Sequence, residues 1–389
     1  MINTRLKFLA IVIATSFLHI VVYKEYFSIL LIDTLILLLV VVFFRDAITF
    51  YKDKISITFY FLLFIMSFHN ILMIGSIPFF IKEGLQSVEL IFFYNIIRKF
   101  TSTKQSANKI IHYIFILSSV LFGIILIYVF IEGLHGGQLK KVSLPNVIAP
   151  LLALSFFYNK NYIFSKKFRE IVFLVSIIAV YFGLLSLSRT FAMVLFLIML
   201  SSLMYKSKII AFSVKIAFIA LFVLLLTTYS AKYENNISVI VNHITSDTAF
   251  GHDQYIELNT LKTTISNRQR INQLKYIYMV LNNNILLGKG NGEASSNANL
   301  HGILPTILVD YGVFIFILFI VLLWFVYQLS KKNILLYGSP DDYAMHYYFI
   351  YSLVFLLFVG SGIFPILPFI ISMAFIASKR NNPASFGGH

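Results

Sequence analysis

Cysteine is absent from this 389-residue sequence, which excludes a disulfide framework and any thiolate site. Zero cysteine also suits an oxidising compartment. Charge is scarce: 12% of residues are charged against 59% hydrophobic, and mean hydropathy is +0.85. That balance excludes an ordinary soluble globular domain. The strand-type alternation that an outer-membrane barrel needs is missing as well. No repeat at a fixed period is visible and the halves do not mirror each other, unlike transporters built from inverted repeats. Met1 to Lys7 and the apolar run after it lack a small-residue cleavage site, so they read as a retained first helix.

What the sequence does hold is a succession of apolar runs of roughly 15 to 25 residues, about the length that crosses ~30 Å of hydrocarbon. It predicts an all-α polytopic membrane protein with about 12 transmembrane helices in one integral membrane domain. About nine would lie in residues 1–229 and about three in 301–389, separated by one large external loop over 230–300. A net charge of +15 would point to nucleic acid if the basic residues were massed together. They are instead spread over short segments between alternate pairs of apolar runs: Arg45, Lys52 and Lys54, then Arg98 and Lys99, later Lys331 and Lys332, and Lys379 and Arg380. That is the positive-inside pattern. It sets both termini in the cytoplasm, makes membrane lipids the surrounding partner and excludes nucleic acid.

Several boundaries follow from the same reading. The third span is expected over Ile55–Ile77, an outer turn at Pro78 and Lys82-Glu83-Gly84, and the fourth span over Leu85–Ile97. The last three spans are expected over His301–Tyr327, His346–Val359 and Pro365–Ala377.

Three positions on the outer side could carry chemistry. Arg189 stands where two apolar helices meet, beside Ser186 and Ser188. It is either an interfacial arginine on lipid phosphate or a fixed guanidinium able to grip a substrate phosphate through two parallel hydrogen bonds. Arg268 follows Ser266, which with Gln269 has the form of a capping box. Ile271, Leu274, Tyr278 and Leu281 then recur at helical spacing and predict an amphipathic helix with those residues on its apolar face. Arg268 in the first turn is either a solvated charge or part of an anion site at a helix N-terminus, with Arg270 as a substitute in that role. His301 opens the tenth helix, sharing a face with Pro305, Leu308 and Gly312. It is either structural or a base able to take a proton from a hydroxyl. Gly312 would let a neighbouring helix approach closely.

Gly288-Lys289-Gly290-Asn291-Gly292 fits neither the dinucleotide nor the P-loop spacing and reads as a tight turn. Asp33, Glu89 and the pair His69-Asn70 are polar groups inside apolar runs, expected to bond between helices. No acidic cluster suits Mg²⁺ and no His/Glu spacing suits Zn²⁺, so no metal and no cofactor is expected.

Taken in order, four segments resemble the O-antigen polymerase and ligase family of the bacterial inner membrane. They are Leu144-Pro145-Asn146, Ser186-Leu187-Ser188-Arg189, Ser266-Asn267-Arg268 with Gly288-Lys289-Gly290, and His301 with Gly312 eleven residues on. Gly302 stands where that family usually has Asn, and Lys275 or Tyr276 where Trp is common. The resemblance implies a GT-C-type membrane glycosyltransferase that is metal-independent and inverting. It would act at the periplasmic face on a glycan carried by undecaprenyl pyrophosphate. Arg189 and Arg268 would hold the pyrophosphate and His301 would activate the acceptor hydroxyl. A polymerase would extend one repeat unit with another, with a polysaccharide chain-length regulator as a further partner the resemblance allows. A ligase would transfer the glycan to lipid A core. A lipid-linked oligosaccharide flippase is the alternative from outside the enzymes.

Overall fold

The computed structural model describes residues 34, 36–74, 77–102, 265–290, 303–337, 340–358 and 363–378. Among the described residues every regular element is a helix. They are α1 (Phe44–Ala47), α2 (Lys54–Ile74), α3 (Ile77–Phe100), α4 (Ile265–Asn284), α5 (Ile303–Tyr337), α6 (Pro340–Phe358) and α7 (Ile363–Ser378).

α2 and α3 form an antiparallel hairpin. Tyr60 donates to Asn95, Ser56 meets Tyr94 at 2.7 Å, and Ser67 meets Ser87 at 2.8 Å, so successive pairs close in on the link between the helices. α3 begins at Ile77, eight residues earlier than expected, so Lys82-Glu83-Gly84 lies in helix rather than in a turn. Proline is tolerated at the second position of a helix, where its missing N–H costs nothing, so Pro78 starts α3 instead of preceding it.

α7 is the core of the described part. From Phe369 to Ala377 its side chains are buried, with Ile370, Ile371, Ser372 and Met373 completely so. Phe369 packs on Phe319 of α5 and Phe349 of α6, with ring centroids 6.0 and 6.1 Å apart. Asn333 of α5 donates to the Ile376 carbonyl at 3.0 Å, and Ser330 meets Nδ1 of His346 on α6 at 2.9 Å. α5 and α6 both exceed their expected bounds: Lys331 and Lys332 are helical and exposed, and Pro340-Asp341-Asp342 forms the first turn of α6. That turn follows the preference for proline and acidic residues at helix N-termini.

One described helix, over Ile303–Leu336, is long and apolar enough to cross a membrane. Two helices also carry apolar side chains outward. On α2 the stripe Ile57, Phe61, Phe64, Phe68 and Leu72 is exposed along one face, and on α5 Phe314, Ile317 and Trp324 are exposed. Contiguous apolar faces of this length are unsuited to water.

Candidate functional site: a glycine junction

The Gly288 turn and Gly312, 24 positions apart, lock together. α4 ends at Asn284, and the chain then turns through Ile285–Gly290, with φ of 68° at Gly288 and 99° at Gly290. α5 is two helices joined at Gly312, whose φ of 79° and ψ of 179° break the helical path. In an unbroken helix the Val309 carbonyl would accept from the Val313 N–H. Here Val313 N–H donates instead to the Ile285 carbonyl at 2.9 Å, while the Val309 and Asp310 carbonyls accept from Lys289 and Gly290 N–H, each at 2.9 Å. The groups freed by the kink are thus paired with the turn rather than left orphaned.

Both glycines are required by geometry. A Cβ on Gly312 would lie 2.2 Å from the Leu286 carbonyl oxygen, and one on Gly288 would lie 2.6 Å from the Gly312 nitrogen. Both also have the positive φ that L side chains resist. Gly312 therefore does permit a close backbone approach, as expected, but the partner is the turn and not a neighbouring helix.

α4 feeds into this junction, and Arg268 lies in its first turn as expected, although Ser266, expected as the cap before the helix, is itself helical. For residues 265–270 the backbone alone is described, so the Arg268 and Arg270 side chains fall outside it. The apolar face of α4 differs from the expected one. Leu274 and Tyr278 are exposed, whereas Ile271, Gln273, Lys275, Tyr276 and Val280 are buried. Tyr276 and Val280 pack with Val309 of α5, and Lys289 sits over the Tyr276 ring at 5.6 Å. The docking partner decides the face: α4 turns Tyr276 and Val280 to α5 and leaves Leu274 outside.

α2 reaches the same junction through His69 and Asn70: Asn70 bonds between helices as expected, whereas His69 bonds to the turn. His69 Nε2 meets the Leu287 carbonyl and its ring lies 5.4 Å from that of Tyr311. Asn70 donates its amide N–H to the Tyr311 hydroxyl at 3.3 Å. Both residues are more than nine-tenths buried, yet among the described residues His69 Nδ1 and Asn70 Oδ1 have no partner. Glu89 is half-buried on α3. Asp33, Arg189 and His301 lie outside the described residues, so the convergence of Arg189, Arg268 and His301 is not part of this description.

The opposite end of α2 holds a second polar cluster that the sequence reading passed over. Asp53 caps α2, accepting from the Ser56 N–H at 3.2 Å and the Ser56 hydroxyl at 2.9 Å. Arg98 of α3 forms an ion pair with Asp53 and donates to Ser56, to the Tyr94 hydroxyl at 3.0 Å and to the Ala377 carbonyl at 3.5 Å, with only its Nε unpartnered. Its guanidinium carbon also lies 4.0 Å from the Tyr51 ring centroid. Burial alone would raise the Asp53 carboxyl, but the charge and hydrogen bond of Arg98, with the Ser56 bonds, outweigh it and hold the group below its usual 3.8. The signal was an acidic residue immediately before a helix, flanked by Lys52 and Lys54.

Among the described residues no three His, Asp or Glu side chains gather in a way that could hold a metal ion. The chain matches no protein-family model and no curated protein.

Proposed function

We propose that this protein is a polymerase of O-antigen or a similar surface polysaccharide, working in the bacterial inner membrane with both termini cytoplasmic. In this reading about 12 helices cross the bilayer, one large external segment spans 230–300, and the active site opens at the periplasmic face. The observation that carries the reading is the glycine junction. Two of the four segments that resemble the family, Gly288-Lys289-Gly290 and the glycine eleven residues after His301, meet backbone to backbone. Ser266-Asn267-Arg268 starts the helix that runs into that junction. The exposed apolar stripes on α2 and α5 support the membrane setting.

The chemistry then needs no metal. Arg189 and Arg268 bind the pyrophosphate of the undecaprenyl-linked glycan, with Arg270 in reserve. His301 takes the proton of a hydroxyl on the acceptor repeat unit as that oxygen attacks the anomeric carbon. The bond from that carbon to the pyrophosphate oxygen breaks on the opposite face, giving inversion. Undecaprenyl pyrophosphate departs, and the two guanidinium groups stabilise its developing charge.

The test is complementation of a deletion strain. Wild-type protein restores a polysaccharide ladder, while His301→Ala and Arg268→Ala reach the membrane at normal levels and extend chains at least ~100-fold less, the usual cost of losing a general base. Full-length polysaccharide from both variants would refute the catalytic assignment. The deletion itself separates the alternatives: single-repeat lipopolysaccharide indicates a polymerase, and loss of all O-antigen indicates a ligase acting on lipid A core. A lipid-linked oligosaccharide flippase would tolerate loss of His301.

A further inference from the structure

We propose that His69 and Asn70 form a second binding site at the glycine junction, one that takes a sugar hydroxyl of the lipid-linked glycan. The inference rests on the glycosyl-transfer reading above, and it starts from hydrogen-bond accounting. A carbonyl oxygen can only accept, so the contact with Leu287 puts an N–H on Nε2 of His69, and a ring carrying one proton carries it there. Nδ1 is then a bare acceptor. Asn70 spends its N–H on the Tyr311 hydroxyl, which leaves Oδ1 as a second bare acceptor. Neither atom has a donor among the described residues, although both residues are almost fully buried. Leaving such an acceptor buried and unpaired costs its full desolvation penalty. Two on consecutive residues are a deficit that a donor-bearing ligand would cancel.

The chemistry of the deficit selects the ligand. Two acceptors attract O–H groups and repel phosphate oxygens, so the pair suits the glycan and not the pyrophosphate. The location agrees. His69 rests on the turn whose Leu286 and Leu287 side chains are exposed, while His69 and Asn70 are themselves buried. The pair also sits where the C-terminal end of α4 and the kink of α5 converge.

Two substitutions separate binding from anchoring. His69→Gln can keep an N–H where Nε2 was, and so keep the Leu287 contact, but it has no acceptor at Nδ1. His69→Asn offers an amide oxygen at the Nδ1 position and loses the Leu287 contact. Full-length protein in lipid nanodiscs, carrying ¹⁵N-histidine, is titrated with undecaprenyl pyrophosphate bearing a disaccharide and with undecaprenyl pyrophosphate alone. The His69 Nδ1 resonance should move with the first probe only. His69→Gln should bind the glycan-bearing probe about tenfold more weakly, with unchanged affinity for the sugar-free one and an unchanged melting temperature. His69→Asn should bind the glycan-bearing probe within about threefold of wild type while melting earlier. If His69→Gln binds both probes as wild type does, an internal water alone serves the two acceptors and the inference is overturned. If the wild type binds neither probe, the glycosyl-transfer reading fails and takes this inference with it.

Discussion

At its Asp53 end α2 is held by charge, and at its His69 end by neutral polar groups and bare backbone. The Asp53 end joins the N-cap of α2, the Arg98 side chain of α3 and the last carbonyls of α7, where Ser378 also donates to the Thr101 carbonyl at 3.1 Å. Nearly every donor and acceptor there has a partner. The His69 end joins α2 to the α4 turn and the α5 kink through positive-φ glycines, and among the described residues it leaves two buried acceptors unserved. The contrast separates a structural clasp from a place prepared for a ligand. Satisfied networks fix a fold, whereas unsatisfied buried atoms are tolerated where something else is meant to bind.

The comparison can be broken most forcefully at the clasp. Arg98→Ala leaves Asp53 charged and half-buried, and should cost about 3–5 kcal/mol of stability, read as a large fall in melting temperature in nanodiscs. Replacing both partners with apolar residues of similar volume, Arg98→Met with Asp53→Leu, should restore part of that loss, the remainder being the N-cap bonds from Ser56 that Leu cannot accept. If the double variant is as unstable as the single one, the pair is not what holds the three helix ends.

Gly312→Ala comes next. The added methyl meets the Leu286 carbonyl and forces an unfavourable φ, together costing about 2–4 kcal/mol. Unlike Arg98→Ala, its effect should appear as faster hydrogen exchange at Lys289, Gly290 and Val313, the three amides that close the junction. Exchange at those amides equal to wild type would contradict the docking.

Acid gives a smaller and graded effect. Because the folded protein keeps Asp53 ionised to lower pH than the unfolded chain does, the clasp contributes fully above pH 3.8 and its contribution is lost as pH falls through the depressed folded value. Melting temperature should therefore drop on acidification below that point, and the drop should be absent in Asp53→Asn. A decline already complete at neutral pH would point elsewhere.

Gly84→Ala should be the smallest change and the opposite in sign. Its Cβ would meet nothing within 4 Å, and the position is helical, so alanine should stabilise by about 0.5–1 kcal/mol. A loss of stability would restore the turn that the sequence suggested there.

The sequence showed composition-level and turn-level features well and tertiary register poorly. The helical class, the place of Arg268 in the first turn of α4 and the turn at Gly288–Gly290 were all legible, because each depends on a few adjacent residues. The buried face of α4 was not, since Leu274 is the more apolar choice and only docking on Val309 selects Tyr276 and Val280 instead. Asp53 and Arg98 are 45 positions apart and each looked like a loop charge. The kink at Gly312 was hidden for a similar reason: a single glycine in an apolar run is common, and its positive φ follows from a turn contributed by another segment. His69 and Asn70 stood out as polar groups in an apolar helix, but their partners could not be named without the packing.

Reconstitution tests the central claim most directly. Purified protein in liposomes, given an undecaprenyl-pyrophosphate-linked repeat unit in the presence of EDTA, should produce a ladder of lengthening glycans, and His301→Ala should produce none. A wild-type preparation that binds the substrate yet yields no ladder, or a His301→Ala ladder matching wild type, would contradict the account.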